Sequence, residues 1–162
     1  MTVQVGDRIP SVTLPEKVAG QVDAVDIAGK ISGKKAVLFG MPGAYTPTCS
    51  GAHMPSIVAE ADAFRAKGVE EIIVFVANDV HVTEHWGETS GATAAGISIL
   101  ADWKSELTKA LGLAFTVPAI GFQDRTVRCA MYCEDGVVKV LQLEEQTGAC
   151  DLTTGTSLLD AI

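Results

Sequence analysis

Basic residues are scarce in this sequence of 162 residues: 12 Lys and Arg stand against 20 Asp and Glu, a formal net charge of -8 at pH 7. That surplus of negative charge repels phosphate backbones and anionic lipid headgroups, which argues against nucleic acid and membrane surfaces as partners. Long apolar runs are missing as well. Runs such as Ile72 to Ala77 have strand length, far below the ~20 residues of a membrane-spanning helix. The four cysteines, Cys49, Cys129, Cys133 and Cys150, are too few and too irregularly spaced for a secreted disulfide scaffold, so reduced, cytoplasmic surroundings are expected. No basic flank precedes an apolar stretch in Met1 to Asp7, so no secretory signal is visible, and an organelle becomes the expectation only where a transit peptide has been removed. Repeats and low-complexity segments are absent too.

What is present is ordinary for a compact chain: 48% hydrophobic and 20% charged residues. The length suits one domain over residues 1–162. Strand-like runs at Ala36 to Phe39, Glu71 to Ala77 and Ile97 to Leu100 alternate with helix-like stretches near residues 48–66, 80–87 and 103–111. Two more strands, Thr126 to Cys133 and Val137 to Leu143, flank the turn Glu134-Asp135-Gly136 and should pair as an antiparallel hairpin. Thr154 to Ile162 can close the chain as an amphipathic helix with Leu158, Leu159 and Ile162 inward. This order predicts an α/β fold of thioredoxin-like type, a central mixed sheet with helices on both faces.

Chemistry concentrates at Cys49. Pro47 fits a first helical position and Thr46 a cap just before it, which puts Cys49 in the first turn of a helix. Backbone N–H groups and the positive end of the helix dipole there favour thiolate over thiol. Met54, Ile57, Val58, Ala61 and Phe64 come next at helical spacing and bury one face. Pro55 deletes a hydrogen bond inside the same helix, so a kink is expected, with a weakly anchored Cys49 turn that can unwind locally. A merely packed free cysteine is the bland alternative. The combination Pro42-x-x-x-Thr46-x-x-Cys49 at a helix start favours the nucleophile.

The run Pro42-Gly43-Ala44-Tyr45-Thr46-Pro47-Thr48-Cys49-Ser50 resembles the active-site motif of peroxiredoxins, and within them the type II, or peroxiredoxin 5-like, branch. The likeness continues in His53-Met54-Pro55, Val76-Ala77-Asn78-Asp79 with Val82 and Trp86, Leu100-Ala101-Asp102, and Arg128-Cys129-Ala130-Met131, nearly the whole chain. It implies a thiol-dependent peroxidase that reduces hydrogen peroxide and alkyl hydroperoxides through a Cys49 sulfenic acid. Thioredoxin, glutaredoxin or glutathione would be the reductant, with no cofactor and no metal, and the resemblance suggests a homodimer. Cys49 would be the peroxidatic cysteine, Thr46 would hydrogen-bond peroxide and thiolate, Pro42 would shield the thiolate, and Arg128 would polarise the peroxide. The chemistry agrees, because charge flows onto the departing oxygen and donors near sulfur and oxygens stabilise it.

Arg125 competes with Arg128. On a strand from Thr126 to Cys133, Arg128 shares a face with Thr126, Ala130 and Tyr132, while Val127, Cys129, Met131 and Cys133 form the apolar face and Arg125 lies at the entrance. Cys129 and Cys133 therefore read as core residues, ~13 Å apart along the strand and unable to bridge each other without rearrangement. Cys150 lies in the polar loop Glu144 to Asp151, where a packing cysteine is out of place. By resemblance to mammalian peroxiredoxin 5 it is placed like a resolving cysteine near the carboxyl end. The position that plant type II members use, in the strand after the Cys49 helix, reads Glu71 to Val76 here and offers no thiol. Two routes stay open: condensation of the Cys49 sulfenic acid with Cys150, and direct reduction by glutathione or glutaredoxin.

Other motifs compete less well. His81-Val82-Thr83-Glu84-His85 matches a zinc-peptidase spacing, but no third ligand is apparent and the charges can simply be solvated. His53, four residues after Cys49, raises a Cys-His hydrolase, though no orienting Asp or Asn is identifiable. A redox-sensing binding protein that oxidises without sustained turnover is the non-enzymatic alternative. Gly29 to Lys35 lacks P-loop spacing and reads as a solvated loop leading into a strand, and Trp86 reads as a core residue.

Overall fold

The computed structural model describes residues 1–146 and 148–162; Thr147, inside the polar loop that carries Cys150, lies outside the described residues. The chain opens with a hairpin of β1 (Thr13–Val18) and β2 (Gln21–Asp26), then a short helix α1 (Ile27–Ile31). Strand β3 (Lys35–Gly40) leads through a loop to a π-helical turn at Cys49–His53, which runs straight into α2 (Met54–Ala66). Next come β4 (Glu71–Val76), α3 (Val80–Ser90), β5 (Ser98–Ala101) and α4 (Glu106–Ala110). A second hairpin, β6 (Ala114–Val117) and β7 (Phe122–Thr126), precedes β8 (Cys129–Glu134), β9 (Val137–Leu143) and α5 (Gly155–Asp160).

The five-stranded central sheet has the order β5-β4-β3-β8-β9. β3, β4 and β5 run parallel, whereas β8 pairs antiparallel with both β3 and β9. Strands covered on both faces read as unbroken apolar runs, as in Ile72-Ile73-Val74-Phe75-Val76. Their alternation divides the interior in two. Val37, Phe39, Val74, Val76 and Ala130 meet Ile57 and Phe64 of α2, Trp86 of α3 and Leu158 of α5. On the reverse face Leu38, Phe75, Cys129, Met131 and Cys133 meet Ile27 and Ile31 of α1 and Leu107 of α4. A mixed sheet with helices on both faces is the thioredoxin-like arrangement the sequence predicts. The β8–β9 turn uses Asp135 at φ 48° and Gly136 at φ 75°, the paired positive φ of a tight hairpin turn.

Three expectations change. The strand predicted over Thr126 to Cys133 is split: Thr126 ends β7 opposite Ala114, and the central sheet resumes only at Cys129. The break resets the period-2 pattern, so Thr126 lies on the Cys129 face; a Cβ at Gly40 would stand 2.8 Å from Thr126 Cγ2 and from Cys129 Sγ alike. Gly29 to Lys35 is not wholly a solvated loop, because Ile27 and Ile31, one turn apart, are fully buried and anchor α1 ahead of it. The β1–β2 and β6–β7 hairpins are additions to the predicted elements. β2 is largely exposed and β6 alternates only between exposed and half-buried positions, which leaves no apolar signature in the sequence.

Candidate active site

The loop after β3 is held from three sides. Arg125 of β7, whose guanidinium lies 4.9 Å from the Phe122 ring, donates through Nη1 to the Pro42 carbonyl at 2.9 Å. The Ala44 N–H donates to Asn78 Oδ1 at 2.9 Å. Tyr45 has a left-handed φ of 64°, an unfavourable conformation for an aromatic residue, and its hydroxyl is tied to the His85 ring and to Thr89 Oγ1. A Cβ at Gly43 would push Arg125 Nη1 out of its place. The Thr46 hydroxyl donates to the Gly43 carbonyl at 2.8 Å instead of accepting from the first turn, so its side chain does not cap the helix as the sequence suggests. The Thr46 carbonyl does take the first helical bond, from Ser50 N–H at 3.0 Å.

Pro55 shapes the turn that holds Cys49. In an α-helix its ring would crowd the carbonyl four residues back and leave that carbonyl without a donor. The backbone N–H of Met54 instead reaches the Cys49 carbonyl, five residues back, which widens the turn just ahead of the proline. The irregularity expected at Pro55 thus takes the form of a π-helical turn, with Cys49 as its first residue.

Cys49 is 0% exposed. Its sulfur receives a hydrogen bond from Arg128 Nη1 at 3.3 Å, and the same nitrogen lies 3.1 Å from His53 Nδ1. Arg128 itself is only 1% exposed. His53 Nε2 lies 2.7 Å from the Thr153 carbonyl. A carbonyl only accepts, so Nε2 carries the hydrogen and Nδ1 offers its lone pair to the guanidinium. Burial, and next the Arg128 charge, hold the imidazole far below its ordinary value, at about 3. A neutral ring with both nitrogens engaged cannot take a proton from Cys49, and the Cys-His hydrolase reading fails on that geometry. Trp86 is buried as expected and donates through Nε1 to Ser50 Oγ at 3.1 Å, next to Cys49.

The Cys150 loop rests on the same helix start. Thr48 Oγ1 donates to the Gly148 carbonyl at 3.0 Å, and Cys150 is half-buried, with Sγ 4.0 Å from Thr153 Oγ1. Burial raises the Cys150 thiol, Thr153 and Arg128 oppose that, and the charges of Glu144 and Cys49 add to it. Cys129 and Cys133 lie in the opposite core, where burial pushes both thiols up to about 12.

The zinc-like motif disperses into separate contacts. His81 lies against Lys17, Glu84 pairs with Lys17 at 3.1 Å and accepts from Gly20 N–H, and His85 meets Tyr45. Sequence reasoning misses the loop-holding tasks of Asn78 and Arg125, and the pair Glu144 and Thr153. Asn78 has a signal: it comes just after β4 at the carboxyl end of a parallel strand, where α/β sheets place ligands. Glu144 has none, being one of two successive acids after a hairpin.

Known proteins resemble this chain over nearly its whole length. The Redoxin family model matches residues 4–158. "Peroxiredoxin-2E-2, chloroplastic" of Oryza sativa subsp. japonica is 39% identical, over 99% of this chain and 73% of its own. The structure of reduced Prx3 from Vibrio vulnificus in complex with hydrogen peroxide superposes with a TM-score of 0.90 at 35% identity, covering 99% of this chain and 100% of that one. Peroxiredoxin 5 from Alvinella pompejana gives 0.82 at 29% identity, covering 98% and 97%.

Proposed function

The chain belongs to the type II peroxiredoxins, thiol-dependent peroxidases of thioredoxin-like fold, and from that premise we propose that Cys49 is its peroxidatic cysteine. The observation that carries this reading is the buried Arg128 guanidinium held 3.3 Å from the Cys49 sulfur. The Cys49 thiolate attacks the terminal oxygen of a hydroperoxide; an S–O bond forms, the O–O bond breaks, and the departing alkoxide or hydroxide leaves as alcohol or water once protonated. Sulfur is oxidised to a sulfenic acid and the peroxide is reduced. Arg128 stabilises charge on sulfur and oxygens. The Thr46 hydroxyl, whose hydrogen goes to Gly43, keeps lone pairs to accept from the hydroperoxide O–H, and Pro42 covers the sulfur from solvent. Hydrogen peroxide and alkyl hydroperoxides are the substrate class.

Resolution runs through Cys150: its thiol attacks the Cys49 sulfenic acid, a disulfide forms and water leaves. Support comes from the Thr48–Gly148 hydrogen bond, which docks the Cys150 loop on the Cys49 turn. Because Cys49 is fully buried, the π-helical turn has to open for the two sulfurs to bond. A dithiol such as thioredoxin, or glutathione with glutaredoxin, then returns both thiols. The chain acts as a homodimer in a reducing compartment, the cytoplasm or an organelle; the Oryza relative's name places that protein in the chloroplast. Sedimentation equilibrium tests the dimer.

The deciding experiment is steady-state peroxide reduction by wild type, Cys49→Ser and Cys150→Ser with thioredoxin, glutaredoxin and glutathione in turn. Cys49→Ser is expected to be inactive with all three. Cys150→Ser is expected to lose turnover with thioredoxin and to keep it with glutathione. Activity surviving Cys49→Ser contradicts the proposal.

A further inference from the structure

Glu144 stands just after β9 and is buried, 7% exposed. Its Oε1 accepts three successive backbone N–H groups, from Asp151 and Leu152 at 2.7 Å each and Thr153 at 3.0 Å, together with the Thr153 hydroxyl at 3.1 Å. A carboxylate in such a ring of donors fixes the peptide planes around it, because each bond is charge-assisted and shielded from water. The segment so fixed carries the Thr153 carbonyl, the acceptor of His53 Nε2 at 2.7 Å. That bond sets the ring's tautomer and leaves Nδ1 as the acceptor for Arg128 Nη1, the nitrogen that also reaches Cys49. Glu144 holds Arg128 at its other end too, through its own N–H to the Arg128 carbonyl at 3.1 Å.

We propose that Glu144 is a positioning residue for the peroxidase centre: through Thr153 and His53 its carboxylate sets the orientation of the Arg128 guanidinium toward the Cys49 sulfur. The inference rests on the peroxidase reading and adds to it a residue on the far side of the imidazole. Arg128 alone has several rotamers of similar energy; a neutral His53 with a fixed lone pair selects the one that keeps Nη1 between ring and sulfur. His53 in turn has two tautomers, and the fixed carbonyl selects one of them.

A double-mutant cycle tests this, with the second-order rate of peroxide reaction and the pH profile of Cys49 alkylation as readouts. Glu144→Gln keeps the shape and removes the charge; it is expected to slow peroxide reaction by about fivefold and to move the alkylation profile to higher pH. In a His53→Ala background the same substitution is expected to change either readout by less than about twofold, because the path is already cut. Equal losses in both backgrounds, or no loss in either, overturn the proposal. Should Glu144→Gln not fold, Thr153→Val decides: it removes one bond to Glu144 and keeps the carbonyl. A slowing of about twofold that vanishes with His53→Ala supports the relay, and an unchanged rate overturns it. Failure here is distinct from failure of the peroxidase reading, since an inactive wild type defeats the latter, whereas an active wild type indifferent to Glu144 defeats only the relay.

Discussion

Cys49 and Cys129 are both 0% exposed and lie on opposite faces of the central sheet, yet only one stands in a reactive setting. Cys129 belongs to the apolar cluster that includes Phe75 and Met131, and burial pushes this thiol up to about 12 against the smaller opposing effects of Gly40 and Arg128. Opposite Cys49 stands a guanidinium at 3.3 Å, with a helix start behind it. Arg128 immediately precedes Cys129, the first residue of β8, yet its guanidinium reaches Cys49 on the other face of the sheet. Exposure therefore does not sort these thiols. The side of the sheet on which the buried Arg128 guanidinium lies does.

The largest consequence is selectivity of labelling. At pH 8 a thiol at about 12 is ionised in roughly one molecule in ten thousand, so iodoacetamide should leave Cys129 and Cys133 unmodified in the native protein while it modifies Cys49 and Cys150. Peptide mapping before and after urea reads this, and native labelling of Cys129 breaks the contrast. Next in size, Arg128→Met should make the Cys49 side resemble the Cys129 side. Peroxide reaction should then slow by about 10²–10³, the usual cost of removing a donor aimed at developing charge, as measured by stopped flow.

A smaller effect concerns His53. Its folded value of about 3 lies below the ordinary 6.5, so the unfolded chain takes up a proton below 6.5 while the native one stays neutral until about 3. Stability from this group is complete above 6.5 and falls as pH drops through that window, by about 3 kcal/mol between pH 7 and pH 4. Urea unfolding of wild type should show that loss, and a His53→Gln variant should lack it; equal slopes contradict the assignment. Smallest is Cys129→Ala, which should cost about 1 kcal/mol through a small cavity and leave the peroxide rate unchanged. A slower rate in that variant would place Cys129 in the chemistry after all.

The same contrast shows why part of the molecule is legible in the sequence. Alternation along β3, β4 and β8 separates the two cores, and it sorts Cys129, Met131 and Cys133 from Ala130 and Tyr132 correctly. Pro47 and Pro55 mark the Cys49 turn because proline acts through its own backbone. Thr126 defeats the same periodicity: the chain changes sheets between Thr126 and Cys129, and no side-chain pattern records a break in pairing. Arg125 reads as a weaker rival of Arg128, whereas it holds the Pro42 carbonyl from a hairpin whose largely half-buried strands carry no clear apolar pattern. Glu144 and Thr153 are invisible for a different reason. Their task depends on a contact 100 residues away in sequence, at His53, and on a main-chain carbonyl that any residue type carries.

The most direct test of Cys49 as nucleophile is dimedone trapping after one equivalent of hydrogen peroxide in Cys150→Ser, where a sulfenic acid has no resolving partner. The adduct is predicted on the peptide that contains Cys49 and on no other. Peroxide consumed with the adduct on Cys129 or Cys133, or with Cys49 still a free thiol, would contradict the account.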